Sequence, residues 1–158
     1  MIDKYDVGIL FALLDDGFEI CLGVFESKQE CMELYELIIR EEAAATAIPF
    51  FIKLSKSTDD KAMKLWDKSR FVPAVIVLWL YVTKDHPFFG MPGLCPIENR
   101  VYEDAAEAVK AREELLADPN VVSVDMVTVP FYKNATQQMT GYHQDLILRQ
   151  LRNLQSED

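Results

Sequence analysis

Histidine and cysteine, the side chains that most often bind metal ions or act as nucleophiles, are scarce in this sequence. The chain has two histidines and three cysteines, which are His86, His143, Cys21, Cys31 and Cys95. A zinc site needs three or four such ligands. His86 and Cys95 lie nine residues apart, and Cys21 or Cys31 would have to come from the other half of the chain. No base adjoins Cys95 to lower the pKa of its thiol. We therefore predict no metal site and no cysteine nucleophile.

Catalytic and cofactor-binding motifs are also absent from the sequence. It contains no serine-hydrolase elbow, no phosphate-binding or dinucleotide-binding glycine loop, no zinc-protease motif and no EF-hand. Acidic residues number 26, so a pair of them proves little. A glycosidase-type pair needs one carboxyl group held protonated in an apolar pocket, and only Glu19 and Asp125 could lie that way. We expect a protein without catalytic residues and without a cofactor.

The most informative segment is Lys84–Asn99, which reads KDHPFFGMPGLCPIEN. Its prolines and glycines interrupt regular structure, yet it is rich in large apolar side chains, and long irregular loops in compact domains tend to be functional. We predict that it binds a protein partner through buried aromatic anchors. The predicted contact residues are His86, Phe88, Phe89, Met91 and Leu94. Two alternatives stay open: an apolar flap over the sheet, and a lid over a small ligand with Asp85, His86 and Cys95 as polar groups.

The charge of the chain is acidic and unevenly distributed. Its 16 basic and 26 acidic residues give a net charge of −10 and a pI near 4.6. Such a surface repels phosphate groups, so we expect neither direct nucleic-acid binding nor attachment to anionic membranes. The segment Lys53–Arg70 holds six basic and three acidic residues, so a basic connector joins two acidic halves. The acidic halves favour a protein partner with a basic surface.

Apolar runs and cysteine usage indicate the compartment. The longest runs, Val7–Leu14 and Ala74–Val82, fall far short of the roughly 20 residues that a transmembrane helix needs. Residues Met1–Asp6 lack the basic segment of a secretory signal. An odd number of cysteines without a CxxC pair is typical of free thiols in a reducing compartment. We predict a cytoplasmic protein.

The first part of the chain has the element order ββαβ. Asp15-Asp16-Gly17 stands between two apolar runs, Val7–Leu14 and Phe18–Phe25, as in a hairpin. Ser27–Glu30 matches a capping box at a helix start, and Ile48–Ser55 is predicted as a third strand. The helix between them has one apolar face, formed by Cys31, Leu34, Tyr35, Ile38 and Ile39.

The same order of elements returns in the second part. Ala74–Val82 and Arg100–Glu103 are predicted strands, Asp104 caps a helix that ends near Ala117, and Val121–Val129 alternates as a strand does. We predict an internal duplication and an α+β fold: two tandem ββαβ units form a mostly antiparallel sheet with helices on one face. A ferredoxin-like order is a close variant.

The predicted organisation is one compact domain in four segments. These are a first unit (1–55), a basic helical connector (56–72), a second unit with the inserted loop 84–99 (73–132), and a linker with a C-terminal helix (133–158). Ile147, Leu151 and Leu154 share one face of that last helix. We expect the face to pack on the protein's own sheet, and a homodimer through this helix is the alternative.

The segment Leu22–Glu30 resembles the strand-to-helix turn of small bacterial and phage ββαβ modules. The resemblance implies a local structure and brings no activity and no binding residues. The sequence as a whole predicts a non-catalytic protein-binding module, such as an inhibitor, an immunity-type protein or an adaptor, which docks on a basic partner. Mimicry of nucleic acid is a special case that needs acidic residues in a regular double row. The alternative function is a small-ligand-binding protein or enzyme with a pocket under loop 84–99.

Overall fold

The computed structural model describes residues 3–56, 65–67, 72–87, 101–133 and 137–155. Within these ranges lie seven strands and three helices. The strands are β1 (Asp3–Leu13), β2 (Glu19–Phe25), β3 (Thr46–Lys56), β4 (Trp66–Asp67), β5 (Val72–Val82), β6 (Val101–Tyr102) and β7 (Val121–Tyr132). The helices are α1 (Lys28–Arg40), α2 (Ala105–Leu116) and α3 (Gln137–Gln155).

Local hydrogen bonds confirm the hairpin turn and the two helix starts that the sequence predicts. In the turn between β1 and β2, the Asp16 carboxylate accepts the N–H of Phe18 at 2.9 Å, and Gly17 has a φ of +85°. The Ser27 hydroxyl accepts the N–H of Glu30 at 3.3 Å at the start of α1. Asp104 caps α2 through the N–H of Ala106, at 2.9 Å. These signals are local, which is why the sequence alone reveals them.

Six strands close into a mixed barrel with the order β5-β6-β3-β1-β2-β7, in which β7 pairs again with β5. β4 lies outside the ring and pairs with β5 alone, while the rest of the predicted connector, 57–64 and 68–71, lies outside the described residues. Neighbouring strands are antiparallel except at two parallel junctions, β2–β7 and β3–β6. The predicted open α+β sheet and its ferredoxin-like variant are therefore wrong.

The reason for closure is visible in β1, where every residue from Val7 to Ala12 is buried. An open sheet with helices on one face leaves the other face to water, whereas both faces of β1 are apolar. Closing the ring covers the inner face with the strands opposite, and helices cover the outer face. Helices lie on more than one side of the barrel. α1 packs against β1, β2 and β3 and shares a buried cluster with α3, while α2 packs against β5, β6 and β7.

The internal duplication is not borne out either. The second strand of the first part, β2, has seven residues, whereas β6 in the corresponding place has two. Among the described elements, β4 and α3 have no counterparts in the first part of the chain. The two parts share one ring and do not form two packed units, so the similar element order reflects similar local patterns.

The buried core consists of one cluster inside the barrel and two outside it. The inner cluster takes its side chains from all six strands of the ring, with Val7, Ile9 and Phe11 from β1 alternating with outward-facing Leu10 and Ala12. One outer cluster joins α1 and α3 to the ring, and Ile147 and Leu151 are buried there. The helix face predicted to pack on the protein's own sheet does so, and of its three residues Leu154 is exposed.

None of the described helices is both long enough and apolar enough to cross a membrane.

Candidate functional site

The barrel has an opening between β2 and β7. β7 pairs with β5 from Val121 to Pro130, but it pairs with β2 at two positions, Val24↔Phe131 and Phe25↔Tyr132. Towards the N-terminal end of β2, no strand of the described residues lies between Glu19–Leu22 and the facing part of β7. The ring is therefore closed at one end of this seam and open at the other.

A bulge and a glycine in β2 explain where the seam opens. Leu10 pairs with Gly23 and Phe11 pairs with Cys21, so Leu22 is the extra residue of a β-bulge, which bends its strand. Gly23 has a φ of +149°, and a Cβ there would lie 2.7 Å from Tyr132 Cε2 and 3.1 Å from the Pro130 carbonyl oxygen. Glycine thus allows the two strands to meet at the junction, and the bulge directs β2 away from β7 beyond it.

The opening contains a pocket of about 380 Å³. Its lining residues are Glu19, Ile20, Cys21, Leu22, Trp79, Val127, Thr128, Val129, Pro130 and Gln150. Cys21, Trp79 and Val127 are half-buried and pack against the inner cluster, so the pocket reaches the barrel interior. Glu19, Thr128 and Gln150 supply polar groups. A volume of roughly 300–1,000 Å³ is typical of a ligand pocket. Polar and apolar atoms contribute about equally to the wall of this one.

The rim of the pocket is both apolar and acidic. Phe18 and Met126 directly precede the lining segments of β2 and β7, and they are 65% and 38% exposed. The segments 15–22 and 125–130 contain four acidic residues, namely Asp15, Asp16, Glu19 and Asp125, and one exposed base, Arg149 of α3, adjoins the lining residue Gln150. Asp125 is exposed, so it does not supply the buried member of an acid pair.

Cys21 lines the pocket and carries a thiol, a group that can act as a nucleophile, but this thiol is protonated at neutral pH. Burial raises the pKa of Cys21 to about 12, with a smaller contribution from the neighbouring Cys31, against the lowering effect of the Gly23 backbone. Burial likewise raises the pKa of Cys31 to about 12. A thiol without thiolate character is a poor nucleophile and a poor metal ligand.

These thiols lead to a prediction about reactivity and alkaline stability. In a Cys95→Ser variant, alkylation of the native protein near pH 8 is expected to be at least about 100-fold slower than in urea, because the thiolate fraction is small. In the folded protein the pKa values of both thiols lie above the ordinary value of 9.0, so raising the pH favours the unfolded chain, whose thiols lose their protons more easily. The contribution of the protonated thiols to the free energy of unfolding is therefore complete below pH 9 and is lost as pH rises towards about 12. Urea unfolding near pH 8 and near pH 10.5 measures the loss. Equal alkylation rates in both states would contradict the assignment.

His86 has a structural position away from this pocket. Its backbone N–H donates to the Thr83 carbonyl oxygen at 3.1 Å, and its side-chain Nε2 lies 3.9 Å from Asp118 Oδ2. The Thr83 hydroxyl donates to the Asn120 side chain at 3.0 Å. His86 thus helps to fix the end of β5 against the turn before β7. The other predicted anchors, Phe88, Phe89, Met91 and Leu94, lie outside the described residues together with Cys95, and their role stays a prediction.

Two other groups of polar residues do not form a site. A cavity of about 10 Å³, with room for about one water, lies beside His143, whose ring centroid is 4.8 Å from that of Tyr132. Glu107 is in the first turn of α2, where burial and then Asp104 and Glu103 raise its carboxyl pKa. Among the described residues no group of three or more histidines, cysteines and acids is placed to hold a metal ion.

The sequence does not point to most of the lining residues, among them Trp79, Thr128 and Gln150. Each belongs to a segment that is ordinary by itself, since Trp79 lies in an apolar strand, Thr128 in an alternating strand and Gln150 in the C-terminal helix. Glu19, a candidate for an acid pair, and Cys21, a candidate metal ligand, both line the pocket, and the sequence gives no reason to expect them there. No local pattern connects these segments.

No family model matches the sequence, and comparison with curated proteins and with solved structures finds no significant match. The function is therefore argued from the site alone.

Proposed function

We propose that this chain is a non-catalytic binding protein that takes a protein partner with a basic surface at the opening between β2 and β7. The observation that carries the proposal is a pocket of about 380 Å³ that reaches the barrel interior. Exposed apolar side chains at its rim offer surface for a partner to bury, as interface cores do. A cytoplasmic location, which the free thiols predict, is part of the same proposal.

Charge supports a basic partner. The four acids of the rim belong to a chain with a net charge of −10. A basic protein is therefore attracted at long range and meets negative charges at the opening. Such steering weakens with salt, because the Debye length shortens from about 10 Å at 0.1 M to about 3 Å at 1 M. Protein binding of this kind needs no catalytic residue.

The pocket volume favours one second candidate, a small apolar ligand. Trp79 and Val127 offer apolar walls, and the Thr128 hydroxyl offers a group that can orient a polar atom. This site differs from the predicted pocket under loop 84–99, since its walls are β2, β5, β7 and α3. A bound metabolite that copurifies with the native protein would favour this candidate.

A charge placed in the rim tests the proposal. Thr128 is exposed and lines the pocket, so Thr128→Arg is expected to reduce capture of basic proteins from a lysate of the source organism by at least about tenfold at low salt. Gln29→Arg is the matched control, because it adds the same charge on the exposed face of α1. Equal loss of capture in the two variants would indicate a general charge effect and contradict binding at the opening.

A further inference from the structure

β7 presents a long edge along the opening. It pairs with β5 from Val121 to Pro130 on one side, but on its other side no strand of the described residues pairs with it before Phe131. Proteins usually cover, shorten or charge such edges, because an exposed row of N–H and C=O groups can pair with another chain. This unpaired edge beside a pocket is therefore a place where another chain can pair with β7.

Two contacts show which backbone groups of β7 face the opening. Arg112 Nε donates to the Val124 carbonyl oxygen at 2.7 Å, so this oxygen points away from β5 and is covered by α2. The Pro130 carbonyl oxygen points the same way, towards β2, since it lies 3.1 Å from the Cβ position of Gly23. Backbone groups of alternate residues point to the same edge of a strand. The N–H and C=O groups of Met126 and Thr128 therefore face the opening, and Arg112 does not cover them.

We infer that the opening binds an extended basic peptide segment of the partner, which adds as a strand along β7 next to Met126 and Thr128. This inference rests on the proposed function and names the form of the partner. In strand addition, main-chain hydrogen bonds supply affinity and pockets for alternate side chains supply specificity. Apolar side chains of the segment would enter the pocket towards Trp79, and basic side chains would meet Asp15, Asp16, Glu19 and Asp125 at the rim.

The charge of the rim selects this occupant over a second copy of the chain. A second copy would bring the same four acids to the opening, and like charges placed together across an interface oppose association. Pro130 has no N–H and so ends the ladder at the closed end of the seam. The segment is thereby limited to the part of β7 before Pro130.

Amide hydrogen exchange measured by NMR tests strand addition in the wild-type protein. The probe is a blocked peptide of alternating lysine and valine, and the control probe replaces each lysine with glutamate. The lysine peptide is expected to slow exchange at the Met126 and Thr128 amides at least about tenfold and to leave Val127, whose N–H faces β5, unchanged. Slowing without this alternation, or equal binding of the glutamate peptide, would overturn the inference.

Two variants of one residue give an independent test. Thr128→Pro removes the N–H that faces the opening and keeps the side that pairs with β5, whereas Thr128→Ala keeps the N–H. The lysine peptide is expected to bind the proline variant at least about tenfold more weakly than the alanine variant. Equal affinities would overturn strand addition, and so would a lysine peptide that fails to bind the wild type. In both cases partner capture by wild type and Thr128→Arg still decides the proposed function separately.

Discussion

Gly23→Ala is expected to lower the free energy of unfolding by about 3 kcal/mol or more, since it combines backbone strain with a steric clash. The residue has a φ of +149°, and the new Cβ would lie 2.7 Å from the Tyr132 ring. That ring stacks on Phe25 with centroids 5.0 Å apart and lies against His143, so it has little room to move. Urea unfolding followed by circular dichroism measures the change.

Gly17→Ala is the matched control for this substitution. Gly17 also has a positive φ, +85°, but nothing lies within 4 Å of its Cβ position. The cost is then that of the left-handed backbone alone, about 1–2 kcal/mol. If the two variants lose the same stability, the close approach of β2 to Tyr132 is not what requires glycine, and the explanation of the junction is wrong.

Phe131→Ala is expected to have an effect of similar or greater size. Phe131 is 1% exposed and lies in the inner cluster of the barrel, directly at the β2–β7 junction. Removing a buried phenylalanine ring costs about 3–5 kcal/mol through lost burial and the cavity that remains. Thermal or urea unfolding gives the value, with two-state behaviour checked by a second probe.

The chain supplies its own control for the loss of a phenylalanine ring. Phe18 is 65% exposed in the hairpin, so Phe18→Ala is expected to change stability by about 0.5 kcal/mol or less. Comparable losses in the two variants would contradict the closed barrel, because the inner cluster would then be no better packed than the surface.

An element can be predicted from the sequence when the residues that determine it lie close together in the chain. The turn at Asp16, the caps at Ser27 and Asp104, and the apolar face of α1 depend on residues a few positions apart, and the structure confirms them. Closure depends on three junctions of two residue pairs each, which join Val24 to Phe131, Leu54 to Val101 and Val77 to Val101. Nothing local in these segments specifies a partner so distant in sequence. The sequence therefore predicts a sheet with helices on one face, whereas the structure is a closed barrel.

The candidate site was less predictable than the fold for the same reason. Its walls come from β2, β5, β7 and α3, and the opening exists because a bulge at Leu22 directs β2 away from β7. The sequence did indicate an acidic, non-catalytic binding protein, which stays a proposal. It predicts the binding residues in loop 84–99. Of these, His86 lies beside Asp118 and does not line the pocket, and the role of the loop stays a prediction.

Amide hydrogen exchange of the chain, free and bound to the basic protein that it captures at low salt, tests binding at the opening most directly. The account predicts slower exchange in the complex at Glu19–Leu22 and Val127–Val129, which line the pocket. It also predicts unchanged exchange in α1, on the outside of the barrel. Protection confined to another surface, such as the turn at Thr83–Pro87, with β2 and β7 unchanged, would contradict the account.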